Sequence, residues 1–600
     1  MKVLLAALNA KYIHSNPALY SLLAYAKAYK EHIELAEYTI NQPLEEIMGD
    51  IYKRKPDVLA FSCYIWNISL ILTLTREIKK ILPETVLWLG GPEVSYDSEQ
   101  VLRAHEEITG IMEGEGEETF LELMEHYVDG SRPLTAIKGL ALKEGRTGER
   151  PLTDLDRLPF LYDRLEDFQN KIIYYESARG CPFRCSYCLS SIDKTVRLRR
   201  LNIVEKELQF FLDNRVKQVK FVDRTFNCNH EHAISIWQYI KDHDNGITNF
   251  HFEVAADLLN EKEISLLNTL RPGAVQLEIG VQSTNPATLS AIQRVTDMEK
   301  LRKIVKEIKK GNNIHQHLDL IAGLPYEDFK TFQKSFNEVY AMEPQQLQLG
   351  FLKVLKGSPM YKRAQEYGIV YTSHEPYEVL YTKWISYGEI RKLKRVEEMV
   401  ELYYNSGQFT LTLPMLERHF ESPFALYEAL AEYYEEKGYF VNSPSRTYRY
   451  QILLEFAINS ISFDKQKQEN GNVCKELSCK ELSCKELSCK ELSCKELFQE
   501  LLTMDFYLRE NAKSRPEFAK DLSPYKDKIR AVYRKEEAER KLLPDYRAYD
   551  ARQIAKMTHI EVFDYDLHSG EKLPVPQMLL FDYRNRSPLT NQAALHEVFE

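Results

Sequence analysis

Glu176-Ser-Ala-Arg-Gly-Cys181-Pro-Phe-Arg-Cys185-Ser-Tyr-Cys188 is the stretch on which the fold and chemistry of this chain turn. It overlaps the end of an apolar run, 172–178, that reads as a β-strand, and it sets three thiols in a C-x3-C-x2-C pattern. Three thiolates so close in sequence can bind three irons of a [4Fe-4S] cube and leave the fourth iron without a protein ligand. An iron left open in this way can hold a substrate or cofactor. Structural zinc sites pair C-x2-C knuckles with a second pair of ligands at a distance, and no second pair of suitable spacing follows. Cys228-Asn-His230-Glu-His232 is a rival ligand set that also reads as an ordinary polar loop.

Downstream, five more strand-like runs, 216–223, 250–255, 274–281, 314–322 and 347–354, are each separated by enough chain for a helix. Six β/α units predict a partial or complete parallel barrel, with functional residues at the carboxyl ends of its strands. Upstream, runs at 3–8, 33–40, 58–63, 86–89 and 108–112 alternate with helical patterns. Asn16 can cap a helix with Pro17 in its first position, and Leu19, Leu22, Leu23 and Ala26 repeat at helical spacing. That alternation predicts a doubly wound sheet whose loops at 9–14, 62–66, 90–95 and 113–117 converge on a ligand crevice. The fold class is therefore α/β: an N-terminal doubly wound, Rossmann-like domain over 1–135, a charged linker over 136–165, a (β/α) barrel over 166–365, and a mainly helical region over 366–600.

The last region is rich in Tyr, Glu and Lys, carries a possible strand at 578–583, and contains no chemical motif. Within it a CKELS repeat at 474–498 places cysteines at 474, 479, 484, 489 and 494. A five-residue step turns ~140° around an α-helix, so these thiols spiral and form no ligand face. The repeat reads as a solvated helical or disordered insertion.

The chain has 600 residues and a net charge of −10, which gives no reason to expect bulk nucleic-acid binding or attraction to anionic membrane. With 44% hydrophobic and 11% aromatic residues, wholesale disorder is excluded. No secretory signal is read at the N-terminus, and the longest apolar stretch, 59–74, is interrupted by Ser62, Asn67 and Ser69. The expected location is the cytoplasm, where clustered thiols point to metal or redox chemistry and not to disulfides.

The cysteine segment resembles the radical S-adenosylmethionine (SAM) superfamily, whose signature is CxxxCxxC with an aromatic residue before the last cysteine. Tyr187 fills that position. The resemblance implies that Cys181, Cys185 and Cys188 ligate the cluster, and that the open iron chelates the amino and carboxylate groups of SAM. Reduction then cleaves SAM to a 5′-deoxyadenosyl radical, with a flavodoxin or ferredoxin as electron donor. Other segments match in order: Asp223 where relatives contact the SAM ammonium, and Glu253 where the coproporphyrinogen-oxidase-like branch binds SAM. Gln282 and Ser283 stand in a block similar to that branch's IGVQS, followed by Arg294; Gln282 and Arg294 would hold the methionine moiety or ribose, joined by Asp319. Glu253, Asp319 and Arg294 are also compatible with structural ion pairs, and Gly323 and Pro325 with a turn.

The segments GGPEVS (90–95) and EGEGEETF (113–120) look like blocks of the cobalamin-binding domains fused ahead of many radical SAM enzymes. By that likeness Gly90 and Gly91 admit the corrin tail and Ser62 meets the nucleotide tail. No DxHxxG occurs, and His14 is a poor substitute, so cobalamin is expected base-off without a histidine ligand. Three functions are implied: radical methyl transfer to an unactivated carbon through cobalamin, cobalamin-assisted cyclisation or rearrangement without methyl transfer, or a cluster-bearing protein without catalysis. The acceptor is not legible.

Overall fold

The computed structural model describes residues 1–162, 164–471 and 484–598. Two compact units emerge, Met1–Phe332 with Leu349–Ile390, and Gln333–Gln348 with Arg391–Glu600.

The first unit opens with a seven-stranded sheet of β1 (Val3–Asn9), β2 (Ile33–Thr39), β3 (Val58–Ser62), β4 (Val86–Gly90), β5 (Gly110–Met112), β6 (Leu140–Leu142) and β7 (Gly145–Arg146). Its order is β2-β1-β3-β4-β5-β6-β7, parallel through β5 and antiparallel beyond. Every residue of β1 is buried because helices cover both faces of the sheet. Leu4, Ala6 and Leu8 pack under helices Leu44–Arg54 and Ile68–Ile81, while Val3, Leu5 and Ala7 pack under Pro17–Tyr25 and Glu117–Met124. The Asn16 side chain accepts the Leu19 N–H with Pro17 at the helix start, as the residue pattern predicts. Strand order reverses direction of growth between β1 and β3, which opens a crevice at their carboxyl ends.

The second sheet comprises β8 (Ile173–Tyr175), β11 (Gln218–Phe221), β12 (Asn249–Val254), β13 (Val275–Gln282), β14 (His315–Ala322) and β15 (Gln346–Phe351). Its order, β15-β14-β13-β12-β11-β8, makes a partial barrel with β8 and β15 as its edges. The predicted strand at 172–178 divides into β8 and a short β9 (Ala178–Arg179), which pairs antiparallel with β10 (Arg197–Leu198). On β13 the residues Val275, Leu277, Ile279 and Val281 are buried and alternate with half-buried Gln276, Glu278, Gly280 and Gln282. Lys220, His251, Gln276 and His315 stand in one lateral row, and Glu253, Glu278 and His317 in the next. Barrels of this class usually fill with branched apolar side chains; a row of polar ones leaves groups available for chemistry. A small ribbon of β16 (Val370–Tyr371) and β17 (Val379–Tyr381) completes this unit.

The second unit is mainly helical, with helices including Pro423–Glu436, Tyr448–Gly471, Cys484–Arg509 and Lys526–Glu539. Several of its tyrosines are core residues, and the hydroxyls of Tyr403 and Tyr434, both buried, meet at 2.6 Å. Asp505, also buried, accepts from the Leu411 and Thr412 N–H groups and from two threonine hydroxyls. Where one strand was expected, a three-stranded antiparallel sheet stands: β18 (Thr558–Tyr565), β19 (Lys572–Arg586) and β20 (Ala593–Glu597). Of the CKELS cysteines, Cys474 and Cys479 lie outside the described residues, Cys484 and Cys489 fall on the helix Cys484–Arg509, and Cys494 is half-buried. Among the described residues no helix is long and apolar enough to cross a membrane.

Candidate active site

The loop carrying the three cysteines leaves the partial barrel through the β9–β10 ribbon. Gly180, at φ +99°, starts it, and a Cβ there would lie 2.1 Å from the Thr195 carbonyl oxygen. Only glycine accommodates both the left-handed backbone and that approach. Cys181 and Cys185 are buried, and Cys188 is half-buried. The Cys181 Sγ lies 3.5 Å from Thr225 Oγ1 of the loop after β11, and Arg294 Nη1 donates to Cys185 Sγ at 3.7 Å. Backbone bonds from Ser186 N to the Ile292 carbonyl and from Met360 N to the Ser186 carbonyl, both 2.8 Å, pin the loop from two sides. Burial pushes the Cys185 thiol up, and the Arg294 guanidinium opposes it. The Tyr187 hydroxyl faces the same thiol and guanidinium.

Arg294 is held by the Gly280 carbonyl through Nη2, while its buried Nε has no hydrogen-bond partner among the described residues. Gln282 sits at φ +72° in a bulge of β13, and its amide folds over Gly280, where a Cβ would be 2.3 Å from Nε2. Gln282, Arg294 and Cys185 are thus brought together. Ser283 is not: fully buried, it donates to Glu327 Oε1 at 2.5 Å and accepts the Asn285 N–H, bracing the turn.

Asp223 is 1% exposed and takes Ser177 N at 2.8 Å and Ser177 Oγ at 2.5 Å. His232 Nε2 approaches the same hydroxyl at 3.3 Å. Asp223 therefore anchors the base of the cysteine loop and presents no free oxygen to the cleft, unlike the SAM contact expected of it. Burial pushes its carboxyl up to about 7. A carboxyl raised in this way binds its proton more tightly when folded. The stability it contributes is complete below the unfolded value of about 3.9 and is lost as pH rises through about 7. In Asp223→Asn the melting temperature relative to wild type should therefore climb between those two pH values; a gap independent of pH would contradict this placement.

Deeper in the barrel, Glu278 accepts from His251 at 2.9 Å and from Lys220 at 3.1 Å, and these partners hold it down at about 2 against its burial. Glu253, 3.9 Å from Arg224, is raised by burial, then by Glu278. Asp319, 3.1 Å from His317, is raised well above the carboxylate range by burial, then by Glu278 and Glu253. Two carboxyls pushed up beside a charged Glu278 would gain from a cationic ligand on this wall. No sequence pattern singled out Lys220, His251 and Glu278, although the alternation of polar and apolar residues along β11, β12 and β13 marks them. His230 is paired with Glu263 at 3.0 Å and His232 with Ser177, so the segment 228–232 forms no ligand set.

A cleft of about 950 Å³ lies between the carboxyl ends of the first sheet and the start of the barrel. Its walls include Ser62, Gly90 and Gly91 on one side and Tyr174, Gly180 and Arg224 on the other. Gly91, at φ +111°, would put a Cβ 2.5 Å from the Cys63 carbonyl oxygen, whereas a Cβ on Gly90 would make ordinary contact with Met112. The Asn16 amide reaches Ser62 Oγ at 3.4 Å. His14 Nδ1 lies 2.6 Å from the Tyr174 hydroxyl, and His14 bridges to Ile172. Three thiols on one pinned loop, with the unsatisfied Nε of Arg294 close to the Cys185 thiol, fit a cluster with an anionic ligand, and a glycine-floored cleft fits a bulky flat cofactor. Two acidic residues of the 113–117 loop, Glu115 and Glu117, pair with Arg179 and Arg197 of the ribbon, contacts that no local pattern announces.

Comparison with known proteins agrees with this anatomy. Residues 3–124 match the B12 binding domain, residues 175–339 the radical SAM superfamily, and residues 365–581 a family described as a protein of unknown function, DUF4080. The cobalamin-dependent radical SAM methyltransferase TokK of Streptomyces tokunonensis is 24% identical over 54% of this chain and 51% of its own length. An anaerobic magnesium-protoporphyrin IX monomethyl ester cyclase of Rubrivivax gelatinosus is 24% identical over 53% of this chain and 61% of its own. The chain thus spans about half the length of the first curated relatives it matches. In fold it is similar to the radical SAM methyltransferase TsrM of Kitasatospora setae (TM-score 0.52, 18% identity, 62% of this chain and 76% of that one). It is also similar to the cobalamin-dependent SAM radical enzyme OxsB (TM-score 0.55, 13% identity, 84% of each chain). The chain thus carries a B12 binding domain followed by a radical SAM domain, the combination found in the cobalamin-dependent radical SAM enzymes it is similar to.

Proposed function

We propose that this protein is a radical SAM enzyme that transfers a methyl group to an unactivated carbon by way of cobalamin. The observation that carries the reading is one cleft lined both by the Gly90–Gly91 floor and by Gly180, Ser190 and Asp193 of the loop that bears the three thiols, a loop whose Cys185 accepts from Arg294. When bound, a [4Fe-4S] cluster would supply the electron that splits SAM to the 5′-deoxyadenosyl radical, and cobalamin the methyl group. In this reading Cys181, Cys185 and Cys188 hold three irons. Arg294 offers its free Nε to a carboxylate, with Gln282 beside it. Glu253 and Asp319, both raised first by burial and then by Glu278, would be drawn to their charged forms by the cationic end of the same ligand. Tyr187 shields the loop.

Cobalamin is read as bound without a histidine ligand, which the engagement of His14 by Tyr174 supports. A small reductant such as a flavodoxin or ferredoxin would supply electrons, and a reducing compartment such as the cytoplasm suits three clustered free thiols. Likeness to a cyclase keeps a second reading in play, in which cobalamin assists without giving up a methyl group. Anaerobic reconstitution with hydroxocobalamin, reductant and SAM labelled in its methyl group separates the two. Label must appear in a product of a cell-extract substrate pool under the first reading and stay out of it under the second. No 5′-deoxyadenosine above background would end both.

A further inference from the structure

One carboxylate joins the wall of the cleft to both strands of the ribbon that frames the cysteine loop. Glu115 stands between Gly114 and Gly116 in the loop after β5, and all three line the cleft. Its Oε1 lies 2.5 Å from Arg197 Nη2 and 3.3 Å from Arg179 Nη1. Its Oε2 accepts from Arg197 Nη1 at 3.1 Å and from the Thr153 N–H at 2.7 Å. Arg179 and Arg197 are directly opposed in the β9–β10 ribbon, so this one side chain fixes the entry and the exit of the 180–196 loop. Glu117 repeats the grip on Arg179 at 3.0 Å, and the Glu117 helix is the one that starts at the rim of the same cleft.

Ordinary surface ion pairs contribute little. These are different in geometry: the Glu115, Arg179 and Arg197 side chains are only 17%, 20% and 16% exposed, and the carboxylate is shared by two guanidiniums. Such an arrangement is stiff and directional. A molecule filling the cleft presses on Gly114–Gly116, and the displacement has a short, charged route to the residue two positions before Cys181.

We infer that Glu115 is a positioning residue that couples occupancy of the glycine-floored cleft to the geometry of the cysteine loop. The inference rests on the reading of the cleft as the cobalamin site and of the loop as the cluster site, and goes beyond it by making the two sites energetically dependent. Linkage then demands reciprocity: the filled cysteine loop must alter affinity in the cleft by the same factor as the filled cleft alters the loop.

The test is an equilibrium titration of the full chain with hydroxocobalamin, before and after cluster assembly, in wild type, Glu115→Gln, Arg197→Gln and the double variant. Wild type should show a change in Kd of at least about 5-fold on cluster assembly. Glu115→Gln should bind hydroxocobalamin and assemble iron and sulfide, with the two Kd values within about 2-fold. Arg197→Gln should do the same, and the double variant should lose no more than either single one, because both remove the same contact. In a matching readout, the electron-spin spectrum of the reduced cluster should respond to hydroxocobalamin in wild type and not in the variants. No coupling in wild type, or full coupling in a variant that holds both cofactors, overturns the inference alone. Absence of hydroxocobalamin binding in every protein overturns the cofactor reading beneath it.

Discussion

Cys185→Ala is expected to purify anaerobically with iron and sulfide at background and to form no 5′-deoxyadenosine. Even outer-shell substitutions at metal sites cost about 10- to 100-fold in metal affinity. Removing one of three thiolates leaves two irons of a cube without protein ligands. His230 and His232 are held by Glu263 and Ser177. The substitution also strips the partner from Arg294 Nη1, whose neighbouring Nε is already unsatisfied. Iron and sulfide analysis together with product assay checks this. A variant that retained a full cluster and turned over SAM would remove Cys185 from the ligand set.

Gly180→Ala is expected to be nearly as damaging, although it touches no ligand. The residue is held at φ +99°, and a Cβ would lie 2.1 Å from the Thr195 carbonyl oxygen and 3.0 Å from its carbon, backbone atoms that cannot swing aside. The left-handed conformation alone costs about 1–3 kcal/mol for a residue with a side chain. The overlap adds to this by forcing β9 and β10 apart, and with them the two ends of the cysteine loop. Gly246→Ala is the matched control, since Gly246 has φ +74° but open space around its Cβ position. It should lose only the conformational part and keep its cluster. The prediction fails if the two variants show equal melting temperatures and equal iron content.

Much of the architecture was legible because its causes are local. The β1 strand is an unbroken apolar run, which two-sided burial requires, and Asn16-Pro17 announces its helix through its own side chain and ring. The barrel strands alternate, and the cysteines carry their spacing in plain view. Residues whose roles depend on topology were misread or missed. Asp223 follows the end of β11, as a SAM contact would, but Ser177 from the link between β8 and β9 donates to both of its oxygens. Ser283 was expected at the cofactor, yet Glu327 turns it inward. Glu115 and Arg197 are more than eighty residues apart in sequence, so their pairing becomes visible only when the two sheets are folded. The C-terminal sheet was mostly missed because its strands are mixed with charged residues and flanked by helical sequence; only 578–583 carries a compact apolar signal.

The proposed chemistry requires that Cys181, Cys185 and Cys188 hold a cluster with one iron open to SAM inside a partial barrel. The most direct measurement is the electron-spin spectrum of the anaerobically reduced protein, recorded with and without SAM. A [4Fe-4S] signal that changes on adding SAM is expected, accompanied by 5′-deoxyadenosine on warming. Zinc in place of iron, or a cluster signal indifferent to SAM, would contradict it.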